Sequence, residues 1–417
     1  DVYKRQEDNY VLRRKQMFRE LLTIKNYKLF LVNMMLIGMG IAITVPFFVL
    51  FATNQLGMTT NQFGLLLALA AISQFTMNSI VARFSDTHAV NRKLLIIIGL
   101  FMGAISFALP FFIHSITLFI ILYAIFQGLF APAMPQLYAS ARESIDQSTS
   151  SSRAVFANSV LRSMFSFGFL FGPLVGNILN QSWGYSGLFG GTVAIILTTL
   201  LLQVFFFKDI KTKQPTRTAT HTEQNAPSML RHRYLIVPFV AFVLLHIGQW
   251  MYTLNMPLFV TKYLGEEEKY VGHLASLCAG LEVPFMIILG IVASKVQTRT
   301  LLAIAAVCGS LFFGSIGVFE SVRMMLIGQV LLAAFLAVLL GIGISYFQDI
   351  LPQFPGYAST LFANAMVVGQ LLGNLLGGAM SDWIGLGNVF YVSALSLALG
   401  FVLILFTKKS PKTVEAS

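Results

Sequence analysis

Charge is scarce in this chain. Only 11% of its 417 residues are charged and 56% are hydrophobic, whereas a soluble globular domain carries about 25% charged residues. Uncharged apolar runs recur throughout, and about 20 apolar helical residues cross the hydrocarbon core of a bilayer. The composition therefore excludes a soluble enzyme and a disordered chain. The continuous runs also exclude an outer-membrane barrel, whose strands alternate polar and apolar residues over about 10 positions.

Several chemical signatures are missing. The two cysteines, Cys278 and Cys308, lie in apolar runs and form no CxxC pair, so neither a disulfide framework nor a thiolate metal site is predicted. No GxxxxGK[ST] sequence is available to cradle a nucleotide phosphate, which argues against ATP-driven transport. HExxH and GxSxG sequences are missing as well. We therefore predict that the chain is not an enzyme and needs no metal and no cofactor.

Apolar runs predict an all-α membrane protein with 12 transmembrane helices in two six-helix halves. The predicted helices cover 28–51, 60–83, 94–113, 115–139, 153–180, 185–207, 234–262, 270–294, 299–319, 323–350, 357–383 and 386–407.

One long polar stretch separates the two sets of six helices. It spans 208–233 and is rich in Thr, Gln and basic residues, so it is predicted to be a flexible linker. The N-terminal half then covers 28–207 and the C-terminal half 234–407. Residues 1–16 precede the first methionine, Met17, and are interpreted as an upstream or artefactual extension.

The distribution of Lys and Arg predicts the orientation in the membrane. Of the 28 such residues, 24 lie in the terminal segments 1–27 and 408–417 or their edges, in the linker, or beside the loops after predicted helices 2, 4 and 8. Basic residues collect on the cytoplasmic side, so both termini and the linker are predicted to be cytoplasmic. This topology accounts for the basic balance without nucleic-acid binding. The opposite side has only Lys262, Lys269 and Arg323.

Glycines at every fourth position mark corresponding helices of the two halves. Predicted helix 5 carries Gly168, Gly172 and Gly176, and predicted helix 11 carries three more at 369, 373 and 377. Small residues at this spacing leave a groove in which another backbone packs closely. The repeated ladder supports a duplicated transporter architecture.

Two charged residues lie deep inside predicted helices. Arg162 is about nine residues, or roughly 14 Å, into predicted helix 5, and Glu282 is about twelve residues, or roughly 18 Å, into predicted helix 8. Pro284 follows Glu282 and favours a local kink. Intramembrane charges are costly and are usually functional or paired. We predict that Glu282 carries a proton and that access to Arg162 switches its protonation; the alternative is a static ion pair between helices.

A row of polar side chains follows predicted helix 7. His246, Gln249 and Trp250 share one face by their spacing, and Tyr252 and Asn255 share a neighbouring face. Amides bond hydroxyl groups and flat rings stack on sugar faces, so the row is a candidate site for a polyol. The alternative is hydrogen bonding between helices, which membrane bundles use widely.

Other polar residues inside the predicted helices are further candidates for substrate binding. They are Asn33, Gln127, Asn158, Gln348 and Asn364. Two further acidic residues, Asp349 and Asp382, lie at helix ends, where a solvated or capping role is expected.

The loop and helix motifs resemble the major facilitator superfamily over nearly the whole chain. The loop after predicted helix 2, 82–99, resembles the superfamily's acidic–basic motif, with Asp86, Arg92 and Lys93, although its Asp-to-Arg spacing is longer. The resemblance implies a charge network that stabilises one gate conformation. In the family's RxxQG motif, Ala124 stands where the Arg would be, so Arg162 is expected to serve instead.

The segment GFLFGPLVG at 168–176 resembles the antiporter motif GxxxGPxxG of that superfamily, which goes with export. Its motif positions are Gly168, Gly172, Pro173 and Gly176.

A narrower resemblance is to the bacterial sugar efflux transporter family. It is carried by SDTHAVNRKLL, AMPQLYASARE, YTLNMPLFV, AGLEVP and YFQDILPQFPGYASTLFAN, which fall in both halves. The resemblance implies export of sugars and related glycosides by exchange with protons. Glu282 lies in the block AGLEVP, and the resemblance carries Arg162 over by its position in predicted helix 5. One departure is Asn255, where an acidic residue often stands in the family, so substrate range or proton stoichiometry is expected to differ.

These observations together predict a secondary transporter of the bacterial cytoplasmic membrane with the major facilitator fold. Its partners would be a small-molecule substrate, protons and the lipid bilayer, and the chain would act as a monomer. Sugar efflux by alternating access is the first hypothesis, and multidrug efflux by proton antiport is the second. The 38 Phe and 17 Met residues keep the second open. Sugar uptake by symport and a sensor without transport are the remaining alternatives.

Overall fold

The computed structural model describes residues 22–87, 91–146, 151–208, 233–292, 296–351 and 354–407, and all regular elements of these segments are helices. Helices α1 to α7 cover Tyr27–Thr44, Phe48–Asn54, Thr60–Thr87, Arg92–Ala108, Ile116–Phe130, Ala133–Asp146 and Ser151–Phe206. Helices α8 to α13 cover Arg233–Leu258, Lys269–Val292, Thr298–Phe319, Val322–Ile350, Pro355–Ile384 and Val389–Leu405. A 3-10 turn at Leu109–Phe111 follows α4, and a π-helix at Phe259–Tyr263 continues α8.

Nine helices within the described segments are long and apolar enough to cross a membrane, and α13 is a shorter apolar helix. Their surfaces carry large apolar side chains, such as Leu311, Ile327 and Leu395, which are 61%, 67% and 58% exposed. Large apolar side chains exposed to this extent on several helices are unusual for a soluble monomer. Lipid tails solvate such side chains without cost, so the surface fits a multi-pass membrane protein.

Proline and glycine interrupt the predicted spans. The span predicted at 28–51 is broken between α1 and α2 around Pro46, and the span at 115–139 is broken between α5 and α6 at Pro132. Proline lacks the backbone N–H and clashes with the preceding turn. The spans predicted at 153–180 and 185–207 are likewise separate helices, because the 56 residues of α7 contain a kink at Gly184, where φ is 61° and ψ is −158°.

The two exposed tryptophans lie where a helix kinks or ends. Trp183 precedes Gly184 and is 68% exposed, and Trp383 lies in the last turn of α12 and is 79% exposed. The third, Trp250, lies on α8 and is half-buried.

The chain packs as two compact units. One comprises residues 1–44, 73–113 and 125–216, and the other 45–72, 114–124 and 217–417. The N-terminal segment to residue 21, the linker residues 209–232 and the tail from 408 lie outside the described residues. The predicted division into halves at 28–207 and 234–407 stays a prediction.

The glycine ladder of α7 lies against α1 within the first unit. A Cβ on Gly168 would collide with the carbonyl oxygen of Met35, and one on Gly172 with Ala42. A Cβ on Gly176 would come within 2.5 Å of a further α1 carbonyl oxygen. Pro173 is buried in the same helix. The predicted close-packing groove is confirmed on this helix.

The ladder of α12 lies against α8 within the second unit. A Cβ on Gly369 would collide with His246, and one on Gly373 would lie 2.8 Å from the carbonyl oxygen of Ile247. Gly377 continues the contact one turn further along α8. The same spacing therefore makes the same kind of helix contact in each unit, as a duplicated architecture predicts.

Candidate functional site

The polar row on α8 begins with a fully buried histidine. His246 Nδ1 lies 2.9 Å from Gln249 Oε1, one helical turn away. Since the Gln oxygen only accepts, the ring donates from Nδ1, and Nε2 is left as an acceptor. Nε2 is buried and has no hydrogen-bond partner among the described residues. His246 therefore presents one unused acceptor.

Two further members of the row also have unused polar atoms. Asn255 Nδ2 donates to the carbonyl oxygens of Met251 at 2.9 Å and Gly377 at 3.1 Å, while its Oδ1 is buried without a partner within the described chain. The Trp250 indole Nε1 likewise has no hydrogen-bond partner among the described residues. Each such group costs about 1–3 kcal/mol to bury. Native proteins place water or a ligand at most of these atoms.

Tyr252 has different surroundings from the rest of the row. Its ring packs among Phe312, Phe313 and Phe390, with centroids 5.3–6.2 Å away. Its hydroxyl accepts a hydrogen bond of 3.4 Å from Gln329 Nε2. The structure therefore places Tyr252 in an aromatic cluster with α10, α11 and α13 and separates it from His246 and Gln249.

Helices α11 and α12 add polar groups to the same unit. Gln348 Nε2 donates to Ser359 Oγ at 3.1 Å, and Asn364 is half-buried on α12. Asn374 was missed at the sequence level. It is 1% exposed, and neither atom of its amide has a partner in the described segments. The available signal was an amide between two glycines of the ladder, Gly373 and Gly377.

The first unit contains the other amides of the predicted set. Asn33 on α1 is fully buried, and both its amide atoms lack partners among the described residues. Gln203 on α7, also missed from the sequence, has the same property. Gln127 is buried on α5. The side chain of Asn158 lies outside the described residues.

The two charged residues that the sequence places inside predicted helices belong to different units. Arg162 is exposed on α7, where its charge acts on the hydroxyl of Tyr138. Glu282 is half-buried on α9, one turn after the buried Cys278. Its position two residues before Pro284 is as the sequence indicates. The proton-coupling role of both residues stays a prediction.

A hydrogen-bonded network forms at the start of α4. Arg92 Nε donates to Glu143 Oε1 at 2.9 Å, and its NH1 group donates to Gln136 Oε1 at 2.7 Å. Both partners lie on α6, inside the block AMPQLYASARE. Lys93 Nζ donates to the carbonyl oxygen of Phe207 at 3.0 Å, just after α7. A cation is favourable at this negative end of a helix.

The acidic member of the predicted gate motif, Asp86, lies in the last turn of α3. Its side chain is outside the part of the chain that the structure describes. The basic members, Arg92 and Lys93, therefore connect α4 to α6 and to the residue after α7. The acidic partner of Arg92 is Glu143, which the sequence did not indicate.

Replacing Arg92 by Ala is expected to lower stability by about 1–3 kcal/mol, because Glu143 and Gln136 would lose their shared donor at a site of 15–20% exposure. Thermal unfolding of the purified protein in detergent measures this change. The control is Lys269→Ala, whose ion pair with Glu267 is exposed and local, and which should change stability by less than about 0.5 kcal/mol. Equal melting temperatures for the two variants would contradict the network, and the exchanged pair Arg92→Glu with Glu143→Arg should recover part of the loss.

Known proteins that are similar to this chain in sequence or in fold are transporters. A sequence profile of the Major Facilitator Superfamily matches residues 30–319 and 238–417. Sugar efflux transporter A of Escherichia coli K12 is 30% identical over 372 residues, covering 88% of this chain and 92% of that protein. A putative sugar efflux transporter of Deinococcus radiodurans is 30% identical over 388 residues, covering 91% and 97%.

Two other similarities are weaker or more distant. A multi-drug resistance efflux pump PmrA homolog of Lactococcus lactis is 32% identical over 146 residues, which cover 34% of this chain. The crystal structure of the nucleoside transporter NupG superposes with a TM-score of 0.77 at 12% identity, covering 92% of this chain and 99% of that one. At that identity the likeness shows the fold alone. These named proteins are transporters rather than enzymes.

Proposed function

We propose that this chain, which belongs to the Major Facilitator Superfamily, exports sugars or small glycosides in exchange for protons by alternating access. The observation that carries the proposal is a set of buried polar atoms on α8 and α12 that have no hydrogen-bond partner among the described residues, at His246, Trp250, Asn255 and Asn374. Hydroxyl groups of a sugar both donate and accept, so one ligand class can satisfy all four positions. The relatives named as sugar efflux transporters support this substrate class.

Twelve membrane-spanning helices in two halves are part of the proposal. The 56-residue α7 is long enough for two spans and turns at Gly184. Helix α9 has 24 residues and α13 has 17, and about 17–25 residues cross a bilayer. These three additions to the nine recognised helices give twelve.

The proposed setting is the bacterial cytoplasmic membrane, with both termini and the linker on the cytoplasmic side. The charge distribution supports this orientation. In this arrangement the Arg92–Glu143 pair lies at the cytoplasmic end of its helices, where a gate contact would act. The chain is proposed to act as a monomer, with protons coupled through Glu282 and Arg162.

Counterflow in proteoliposomes tests the substrate class. Radiolabelled lactose and a lipophilic cationic dye are presented in parallel to purified protein. Lactose exchange without dye movement is the expected result. Dye movement without sugar exchange would overturn the sugar proposal and favour multidrug/proton antiport, which the partial similarity to a multidrug pump and the Phe- and Met-rich composition support.

Replacing Trp250 by Phe is expected to raise the lactose concentration for half-maximal counterflow about fivefold, the equivalent of one neutral hydrogen bond. The ring is kept, and the lost N–H has no partner in the described segments, so folding should be unaffected. The control is Trp183→Phe, which removes an exposed indole. If the two variants gave the same half-saturation as the parent, the indole would not contact the sugar.

A further inference from the structure

The part of α7 before Gly184 has three distinct faces, since successive residues of a helix turn by about 100°. One face carries large apolar side chains that are 40–63% exposed, as contact with lipid requires: Phe167, Phe171, Leu174 and Ile178. The second face carries the glycine ladder against α1. The third lies opposite the apolar face and carries Arg162, Ser166, Pro173 and Asn177. Arg162 is therefore turned away from lipid.

Exposure changes along this third face. Pro173 and Asn177 are buried, whereas Arg162 and Ser166, which come earlier in the helix, are exposed. Because the face points away from lipid, the exposed pair borders a cleft of the first unit that admits water. A guanidinium group is costly in hydrocarbon, and it is stable in a cleft of this kind.

Helix α1 brings a second cation to the same level. Gly168 packs on Met35, and the next two glycines of the ladder pack further along α1 in the same direction, so the two helices run parallel here. Lys28 lies seven residues, about two turns, before Met35 and thus on the α1 face toward α7. Arg162 lies six residues before Gly168. Both cations are exposed, and neither has an acidic partner among the described residues.

Helix α6, which packs against α7, adds a hydroxyl group and a third cation. The charge of Arg162 acts on the hydroxyl of Tyr138, and Arg142 follows one turn later with an exposed side chain. Among the described side chains of the first unit the acidic one is Glu143, which Arg92 holds at 2.9 Å. The described side chains around the cleft therefore give it a positive charge.

We infer that the cleft at Lys28, Tyr138 and Arg162 binds the anionic group of an acidic sugar, which is the carboxylate of a sugar acid or the phosphate of a sugar phosphate. A guanidinium group donates two parallel N–H bonds to either anion, and the hydroxyl groups of Tyr138 and Ser166 can bond further oxygen atoms. In the proposed orientation the cleft lies at the cytoplasmic end, where an exporter takes up its substrate. The inference rests on the proposed transport function and extends its substrate class from neutral to anionic sugars.

Equilibrium binding of radiolabelled glucuronate to the full chain, in an uncharged detergent, tests the site. The unlabelled competitors are glucuronate, glucose, glucose 6-phosphate and acetate. Glucuronate is expected to compete about tenfold better than glucose, the equivalent of one charge-assisted hydrogen bond. It should also compete about tenfold better than acetate, which has the carboxylate but no sugar ring. Displacement by glucose 6-phosphate as strong as by glucuronate assigns the site to both anions, and weaker displacement assigns it to sugar acids.

Arg162→Gln is expected to weaken glucuronate binding about tenfold and to leave glucose binding unchanged, because a neutral sugar makes no use of the charge. A folding defect would weaken both sugars alike. Arg162→Lys keeps the charge without the paired N–H groups and should fall between. Lys28→Gln should weaken glucuronate binding about two- to fivefold, as expected of an exposed charge. The matched control is Arg323→Gln, which removes an exposed cation from α11 of the other unit and should change neither affinity.

Three results would overturn the inference. They are equal competition by glucose and glucuronate, equal competition by acetate and glucuronate (an adventitious ion only), and equal glucuronate affinity of Arg162→Gln and Arg323→Gln. Counterflow of lactose by the parent separates this failure from failure of the proposed function. Lactose exchange without preference for glucuronate removes the anionic site alone. Arg162-dependent glucuronate binding without sugar counterflow supports the site and removes the transport assignment.

Discussion

Replacing Glu282 by Gln is expected to reduce proton-driven efflux to the passive leak while substrate exchange continues. Glutamine has nearly the same shape and hydrogen-bonding reach as glutamic acid but cannot take up or release a proton. Glu282 is half-buried on α9, within an apolar run of the sequence. A variant locked in the neutral form can therefore still bind sugar and reorient, but it cannot couple the cycle to the proton gradient.

The measurement compares efflux driven by a pH gradient with counterflow at equal pH, in proteoliposomes of the same variant. Glu320→Gln is the matched control, because Glu320 is exposed and its carboxylate accepts a bond from Tyr263 at 2.7 Å. Driven efflux equal to that of the parent would exclude Glu282 as proton carrier. If Glu282 instead belonged to a static ion pair, thermal stability and counterflow would fall together with driven efflux.

Replacing Gly168 by Val is expected to prevent most of the expressed molecules from folding. The first atom of the new side chain would overlap the carbonyl oxygen of Met35, and backbone on both sides leaves no flexible side chain to move aside. Helices α1 and α7 would have to separate along the whole ladder, at a cost of about 3 kcal/mol or more. A loss of this size is a large fraction of the stability of a typical domain.

Fluorescence-detected size-exclusion chromatography of detergent extracts measures the yield of monodisperse protein. The control is Gly341→Val, since open space surrounds a Cβ at that position. The control should keep most of the parental yield. A similar yield for the two valine variants would show that the ladder tolerates separation and that its spacing has another cause.

The helices were largely predictable, and their interruptions were less so. Helix α10 begins and ends within one residue of its prediction at 299–319, because a long apolar run between polar ends fixes a membrane helix by itself. The break at Pro46 and the abrupt kink at Gly184 depend on local backbone geometry. Hydropathy averages over about 20 residues and does not register a change at one position.

Contacts between residues far apart in the sequence were harder to predict than the helices. The ladder at Gly168 was visible because all its members lie on one helix at a fixed spacing. The partner of Arg92 lies 51 residues away in Glu143, and no periodicity connects the two. Asn374 is an ordinary amide in the sequence, and it becomes a candidate only because it is buried without a hydrogen-bond partner in the part of the chain that the structure describes.

The three tryptophans give this protein a convenient spectroscopic property. Trp183 and Trp383 are largely exposed beside turns, whereas Trp250 lies half-buried in the polar row of α8. Phenylalanine at the two exposed positions would leave a single indole emitter, located at the proposed sugar site. Its emission wavelength and quenching would then report the polarity around that site through each stage of the cycle, without an attached dye.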